Sequence, residues 1–79
     1  MFNPSTAMGD LQYQRNYEYS GNFILYEGVA PPGTKTTDPG WIIIKYSNDA
    51  TNTTASRFAD DSIGFNKTWS QRASYTYAF

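Results

Sequence analysis

Trp41-Ile42-Ile43-Ile44-Lys45-Tyr46-Ser47 is the stretch that decides the fold. Three consecutive isoleucines are stiff at χ1 and favour extended backbone, where their branched side chains pack on a pleated surface. Successive residues of a strand point to opposite faces. A run this apolar therefore predicts a central strand buried on both sides.

Working outward, Tyr17 to Ala30 reads as strand interrupted by a turn at Ser20-Gly21-Asn22. Phe23, Leu25 and Glu27 are expected on one face and Ile24, Tyr26 and Gly28 on the other. The connection 30–40 contains Pro31, Pro32 and Pro39, which lack the ladder donor and exclude an inner strand. Its Pro32-Gly33 and Pro39-Gly40 pairs fit the central positions of type II turns. Asn48 to Asn52 is a hairpin connection, and residues 53–59 form a return strand with Phe58 inward and Arg57 outward.

Asp60 to Gly64 reads as a tight turn. Phe65, Trp69 and Ala73 follow at intervals of four, the spacing of one face of a helix of about two turns. The ending Tyr75-Thr76-Tyr77-Ala78-Phe79 alternates as a strand with one aromatic face. The expected fold is mainly β: a small antiparallel sheet or sandwich with one short helical segment near 62–72. Residues 1–16 show no period and are expected to be an N-terminal arm, with the β domain spanning 17–79.

Composition narrows function. The chain has 79 residues, with neither cysteine nor histidine. Disulfides, thiolate nucleophiles, histidine bases and the commonest zinc ligands are thereby excluded, so the reading is no enzyme, no cofactor and no metal. A domain this small has a marginal core, and a partner subunit is the remaining means of stabilising it. Six basic and seven acidic residues give a net charge of -1, with no basic cluster to neutralise phosphates. Nucleic acid is not an expected partner. The longest apolar run is far short of the roughly 20 residues that cross a bilayer, and residues 1–5 lack the charged, apolar start of a signal peptide. No membrane partner is expected, and the protein reads as intracellular at synthesis.

The adjacent carboxylates Asp60-Asp61 read as turn residues, since a calcium loop needs spaced ligands. The acceptor patterns Asn52-Thr53-Thr54 and Asn66-Lys67-Thr68 carry little weight in a chain rich in Thr and Asn. Trp41 and Trp69 are expected in the core. Seven tyrosines are more than so small a core can hide, and tyrosine suits interfaces. Tyr13, Tyr17, Tyr19, Tyr75, Tyr77 and Phe79 are the expected protein-interface residues.

Several segments together carry a resemblance: residues 26–34 (Tyr-Glu-Gly-Val-Ala-Pro-Pro-Gly-Thr), 38–43 (Asp-Pro-Gly-Trp-Ile-Ile), Phe58-Ala59-Asp60, residues 65–69 (Phe-Asn-Lys-Thr-Trp) and Arg72-Ala73-Ser74-Tyr75. Over roughly residues 23–77 the chain resembles small proteins encoded among the virion structural genes of tailed bacteriophages. It departs from that pattern at Asp61, where glycine is expected, and at Ile42, where arginine is expected. The resemblance implies a virion protein: a capsid decoration or cement protein, or a tail or fibre subunit. Its partners would be other virion proteins and copies of itself, and it brings no catalytic residues. It also motivates an expected pairing of Asp60 with Arg72. The alternative class is a receptor-binding module that recognises a cell-surface glycan.

Overall fold

Four consecutive strands make one antiparallel sheet in the order β1-β2-β3-β4. They are β1 (Gln14–Ser20), β2 (Phe23–Ala30), β3 (Ile42–Asn48) and β4 (Thr53–Phe58). The computed structural model describes residues 12–79. The β domain thus includes Gln14, Arg15 and Asn16 of the expected arm; Gln12 and Tyr13 precede β1, and residues 1–11 lie outside the described residues.

The central pair is β2 with β3, through Tyr26 opposite Lys45, Gly28 opposite Ile43 and Val29 opposite Ile42. This is the placement expected from the isoleucine run. Gly21 takes φ 62° between β1 and β2. Glycine occupies that left-handed backbone without a Cβ penalty, which permits a short hairpin connection. At Pro32-Gly33 the expected type II geometry is present, with Gly33 at φ 88° and the Thr34 amide donating to the Pro31 carbonyl at 3.2 Å. Pro39-Gly40 differs. Gly40 is not left-handed, and its amide donates to the Asp38 carbonyl at 2.9 Å, a tighter three-residue turn.

Register assigns the faces. Gln14, Asn16 and Glu18 on β1 oppose Ala30, Gly28 and Tyr26 on β2. Tyr26 and Gly28 oppose Lys45 and Ile43 on β3, and Lys45 opposes Arg57 on β4. These residues share one face, here the covered face. The other face, the open face, carries Arg15, Tyr17, Glu27, Val29, Ile42, Ile44, Tyr46 and Phe58. Two irregularities shape it. Between Glu18 and Tyr19 the pairing skips Leu25, which packs against the core cluster instead of lying with Glu27 as expected. Between Ser47 and Asn48 it skips Thr54. A one-residue slip exchanges the faces of all that follows. Phe58 therefore pairs with Ile44, not Ile43, and Arg57 lies on the covered face, the reverse of the expected orientation.

The covered face earns its name from the chain after β4. A 3₁₀ turn at Ala59–Asp61 redirects the backbone, and a 3₁₀ segment at Trp69–Ser74 lies over the sheet. No α-helix occurs among the described residues. The helix expected near 62–72 is replaced by this shorter, tighter segment, and Phe65 and Ala73 are exposed where only Trp69 is buried. The core consists of Tyr26, Ala30, Trp41, Ile43, Ala59 and Trp69. Both tryptophans are buried as expected, their ring centroids 6.0 Å apart.

Residues 75–79 are not a strand. They continue over the covered face as an irregular segment. The Asp60 amide donates to the Thr76 carbonyl at 2.8 Å, and the Thr76 amide donates to Asp60 Oδ1 at 2.9 Å. A backbone bridge between Trp41 and Lys67 anchors the segment's start.

Candidate functional site: the open face of the sheet

The contacts that tie loop 31–40 and segment 67–79 to the sheet end on covered-face residues. Gln14 Nε2 donates to the carbonyls of Pro31 and Thr34, and Trp41 Nε1 donates to the Lys35 carbonyl. The Arg72 guanidinium lies 4.6 Å from the Trp69 ring centroid and donates to Glu18 Oε1 at 2.8 Å. Lys45 Nζ sits over the rings of Tyr26 and Tyr77, and Arg57 Nε donates to the Ala78 carbonyl. The described residues thus place one layer on one side of the sheet.

The opposite side has no such layer among the described residues. Val29, Ile42 and Ile44 lie there only partly buried, beside Tyr17 (42% exposed) and Phe58 (37% exposed). Alternation in β2 and β3 puts them on one surface. A polar cluster crosses it. Tyr46 donates its hydroxyl proton to Glu27 Oε1 at 2.6 Å, and Arg15 Nη1 donates to Glu27 Oε2 at 3.2 Å. The Glu27 side chain is only 15% exposed. Desolvation first, and then the Glu27 carboxylate, push the Tyr46 hydroxyl up to about 12, so it remains a donor throughout the neutral range. Arg15, Glu27 and Tyr46 each have a partner, and the Arg15 guanidinium offsets the Glu27 charge, so covering the face would not leave a lone charge.

The expected interface residues divide. Tyr17 and Tyr19 stand side by side on the outer strand, rings 6.3 Å apart, with Tyr19 61% exposed. Tyr13 stacks on Phe65 at 5.5 Å, both partly open to solvent. Tyr75 and Tyr77 pack against the chain's own core. Their hydroxyls are engaged internally: Tyr75 accepts from the Thr68 amide and Tyr77 donates to the Arg72 carbonyl. Burial first, then the neighbouring Tyr26, Tyr75 and Asp60, push the Tyr77 hydroxyl up. Phe79 remains 53% exposed beneath Arg57. Ile42, Ile44, Tyr46 and Phe58 were not among the expected surface residues. The signal was the isoleucine run itself, whose second apolar face meets no covering layer among the described residues.

The expected Asp60–Arg72 pair does not form. Asp60 Oδ2 lies 3.2 Å from Lys67 Nζ, while Arg72 pairs with Glu18. Among the described residues, no cluster of three carboxylate, cysteine or histidine ligands is positioned for a metal. The described residues form a small antiparallel β-meander in which they cover one face and leave the other open. No family model, curated protein or solved structure matches the chain.

Proposed function

We propose that the protein is a non-catalytic structural subunit of a bacteriophage virion, acting through protein–protein contacts made by the open face of its sheet. The observation that carries the assembly reading is the one-sided layering. A sheet with an apolar face must bury that face against something, and compact domains do so with a second packed layer. Here Val29, Ile42, Ile44 and Phe58 meet no such layer among the described residues, and Tyr17 and Tyr46 add rings with polar tips, a composition favoured at interfaces. The virion setting, as capsid decoration or as a tail or fibre subunit, rests on the sequence resemblance over residues 23–77.

The test separates the two parts. Sedimentation of the purified chain should show self-association, or co-sedimentation with virion subunits, that is lost in Phe58→Ser and Ile42→Ser while the circular dichroism of the fold is retained. Electron microscopy of particles carrying the protein then locates it. Many copies over the shell mean decoration, and a few at one vertex mean tail. A wild-type chain that stays monomeric and is absent from purified particles would refute the proposal.

A further inference from the structure

A depression of about 440 Å³ lies where the covering segment stops short of the sheet's far end. Its apolar walls include Phe23 and Phe79, and its polar lining includes Ser20, Lys45, Ser47 and Asp49. Lys45 and Ser47 stand on the covered face, and Tyr46 of the open face also lines the depression, so it borders the assembly surface at that one residue. From this lining we infer a carbohydrate-binding site for a single neutral sugar residue, such as the terminal residue of a glycan.

Three observations select that ligand. The volume falls within the roughly 300–1,000 Å³ of small-molecule sites. The Ser20 and Ser47 hydroxyls make no hydrogen bond with the described residues, and Lys45 Nζ has no carboxylate partner among them, only the faces of Tyr26 and Tyr77. Asp49 spends Oδ1 on the Thr51 and Asn52 amides and the Thr51 hydroxyl, leaving Oδ2 without a hydrogen bond there. The site thus offers donors and an acceptor together, which hydroxyl groups use both ways. The phenyl walls suit the C–H faces of a sugar ring. An apolar side chain from a neighbouring protein would leave the two serine hydroxyls and the free Asp49 oxygen desolvated without partners, which is costly. An anion would meet the ionised Asp49, whose carboxyl the Thr51 and Asn52 amides hold below the ordinary carboxylate value.

The test is a glycan array probed with the full chain, followed by nuclear magnetic resonance titration with glucose, galactose, N-acetylglucosamine and glucuronate. The expected result is binding to at least one neutral glycan, with perturbations centred on Phe23, Ser47 and Phe79. Ser47→Ala and Phe79→Ala should each weaken binding by about tenfold, the effect of one lost hydrogen bond or wall contact. Both positions lie outside the buried core, and unchanged near-ultraviolet dichroism from Trp41 and Trp69 serves as the folding control. No binding on the array, binding of glucuronate alone, or undiminished affinity in both variants would overturn the inference. So would concentration-dependent shifts at these residues without sugar, which would assign the depression to a neighbouring protein. Absent binding or binding of glucuronate alone leaves self-association through the open face untouched, and repeating the titration in Ile42→Ser keeps that association out of the shifts at the depression.

Discussion

Trp69 lies directly on Gly28: a Cβ built at Gly28 would stand 2.5 Å from Cε3 of the indole and 3.0 Å from Cε3 of Trp41. The closeness is what lets the covering segment reach the sheet, because any side chain at this central position would lift it. Gly28→Ala should therefore destabilise the protein by about 1–3 kcal/mol, the usual range for overpacking. Thermal melts, with Gly33→Ala as a second variant, check it. Gly33 has nothing within 4 Å, so there the cost is only that of its left-handed backbone.

Arg72 holds the segment from its other side. Its guanidinium lies over Trp69 and 5.8 Å from the Tyr26 centroid while it pairs with Glu18. The ion pair is partly exposed, at 27% and 40%, and such pairs contribute little. Stacking on partly desolvated rings contributes more. Glu18→Gln is expected to cost under about 1 kcal/mol, and Arg72→Ala about 1–3 kcal/mol through lost ring contacts and hydrogen bonds. Equal losses in chemical denaturation would show that the ion pair is the main tie.

Asp60 and Asp61 take φ 50° and 58°, two successive left-handed residues. That backbone costs an ordinary residue roughly 1–2 kcal/mol, less for Asp, and glycine almost nothing. The resemblance expects glycine at position 61, and the backbone there is the kind glycine accepts freely. Asp61→Gly should raise stability by up to about 1 kcal/mol, a gain readable as a higher denaturation midpoint. A loss would mean that the Asp61 side chain has a role its exposed position does not reveal.

Acid should loosen the same junction. The Thr76 amide, and then the Lys67 ammonium, hold the Asp60 carboxyl below its ordinary value of 3.8. A depressed folded value means that the stabilisation is fully present above the unfolded value and is lost as pH falls through the folded one. Asp49, held down by the Thr51 and Asn52 amides, contributes with the same sign. Asp60→Asn should therefore remove part, not all, of the fall in melting temperature below about pH 4. Asparagine tolerates the left-handed backbone, so the comparison reads the charge. An unchanged acid slope would contradict the assignment.

The central place of the isoleucine strand, the first hairpin turn and both buried tryptophans were legible because each depends on local signals: β-branching, a glycine turn and bulky apolar rings. The path of the C-terminal segment was not. Its Tyr75-Thr76-Tyr77 alternation fits a strand, but Asp60 takes the hydrogen bonds of Thr76 and no strand among the described residues pairs with the segment. The faces of β4 were hidden for a different reason, since skipping Thr54 exchanges Arg57 and Phe58 and no periodicity announces such a slip. The isoleucine run was read as buried twice over. Among the described residues the structure buries Ile43 and leaves the second face uncovered, and that surplus apolar surface is the candidate site.

Ile43 and Ile44 are adjacent in sequence and separated by the sheet. Ile43 has no exposed surface and opposes Gly28 beneath Trp69, while Ile44 opposes Phe58 on the open face. The same substitution at the two positions should therefore act on different equilibria. Ile43→Asp places a carboxylate among Trp41, Trp69 and Ala59 with no partner, and should cost several kcal/mol, enough to unfold a small domain. Ile44→Asp leaves the carboxylate at a surface that water reaches in the isolated chain, so a smaller loss of about 1 kcal/mol is expected there. In an assembly the same charge would lie in the interface beside Glu27, where both desolvation and repulsion oppose it. Denaturation of each variant, followed by sedimentation of whichever folds, reads the two effects separately. An unfolded Ile43→Asp with a folded but non-associating Ile44→Asp is the expected pattern. If Ile44→Asp unfolds as completely as Ile43→Asp, the second face belongs to the monomer's own core, and the assembly surface must be sought at Tyr17 and Tyr19 on the outer strand.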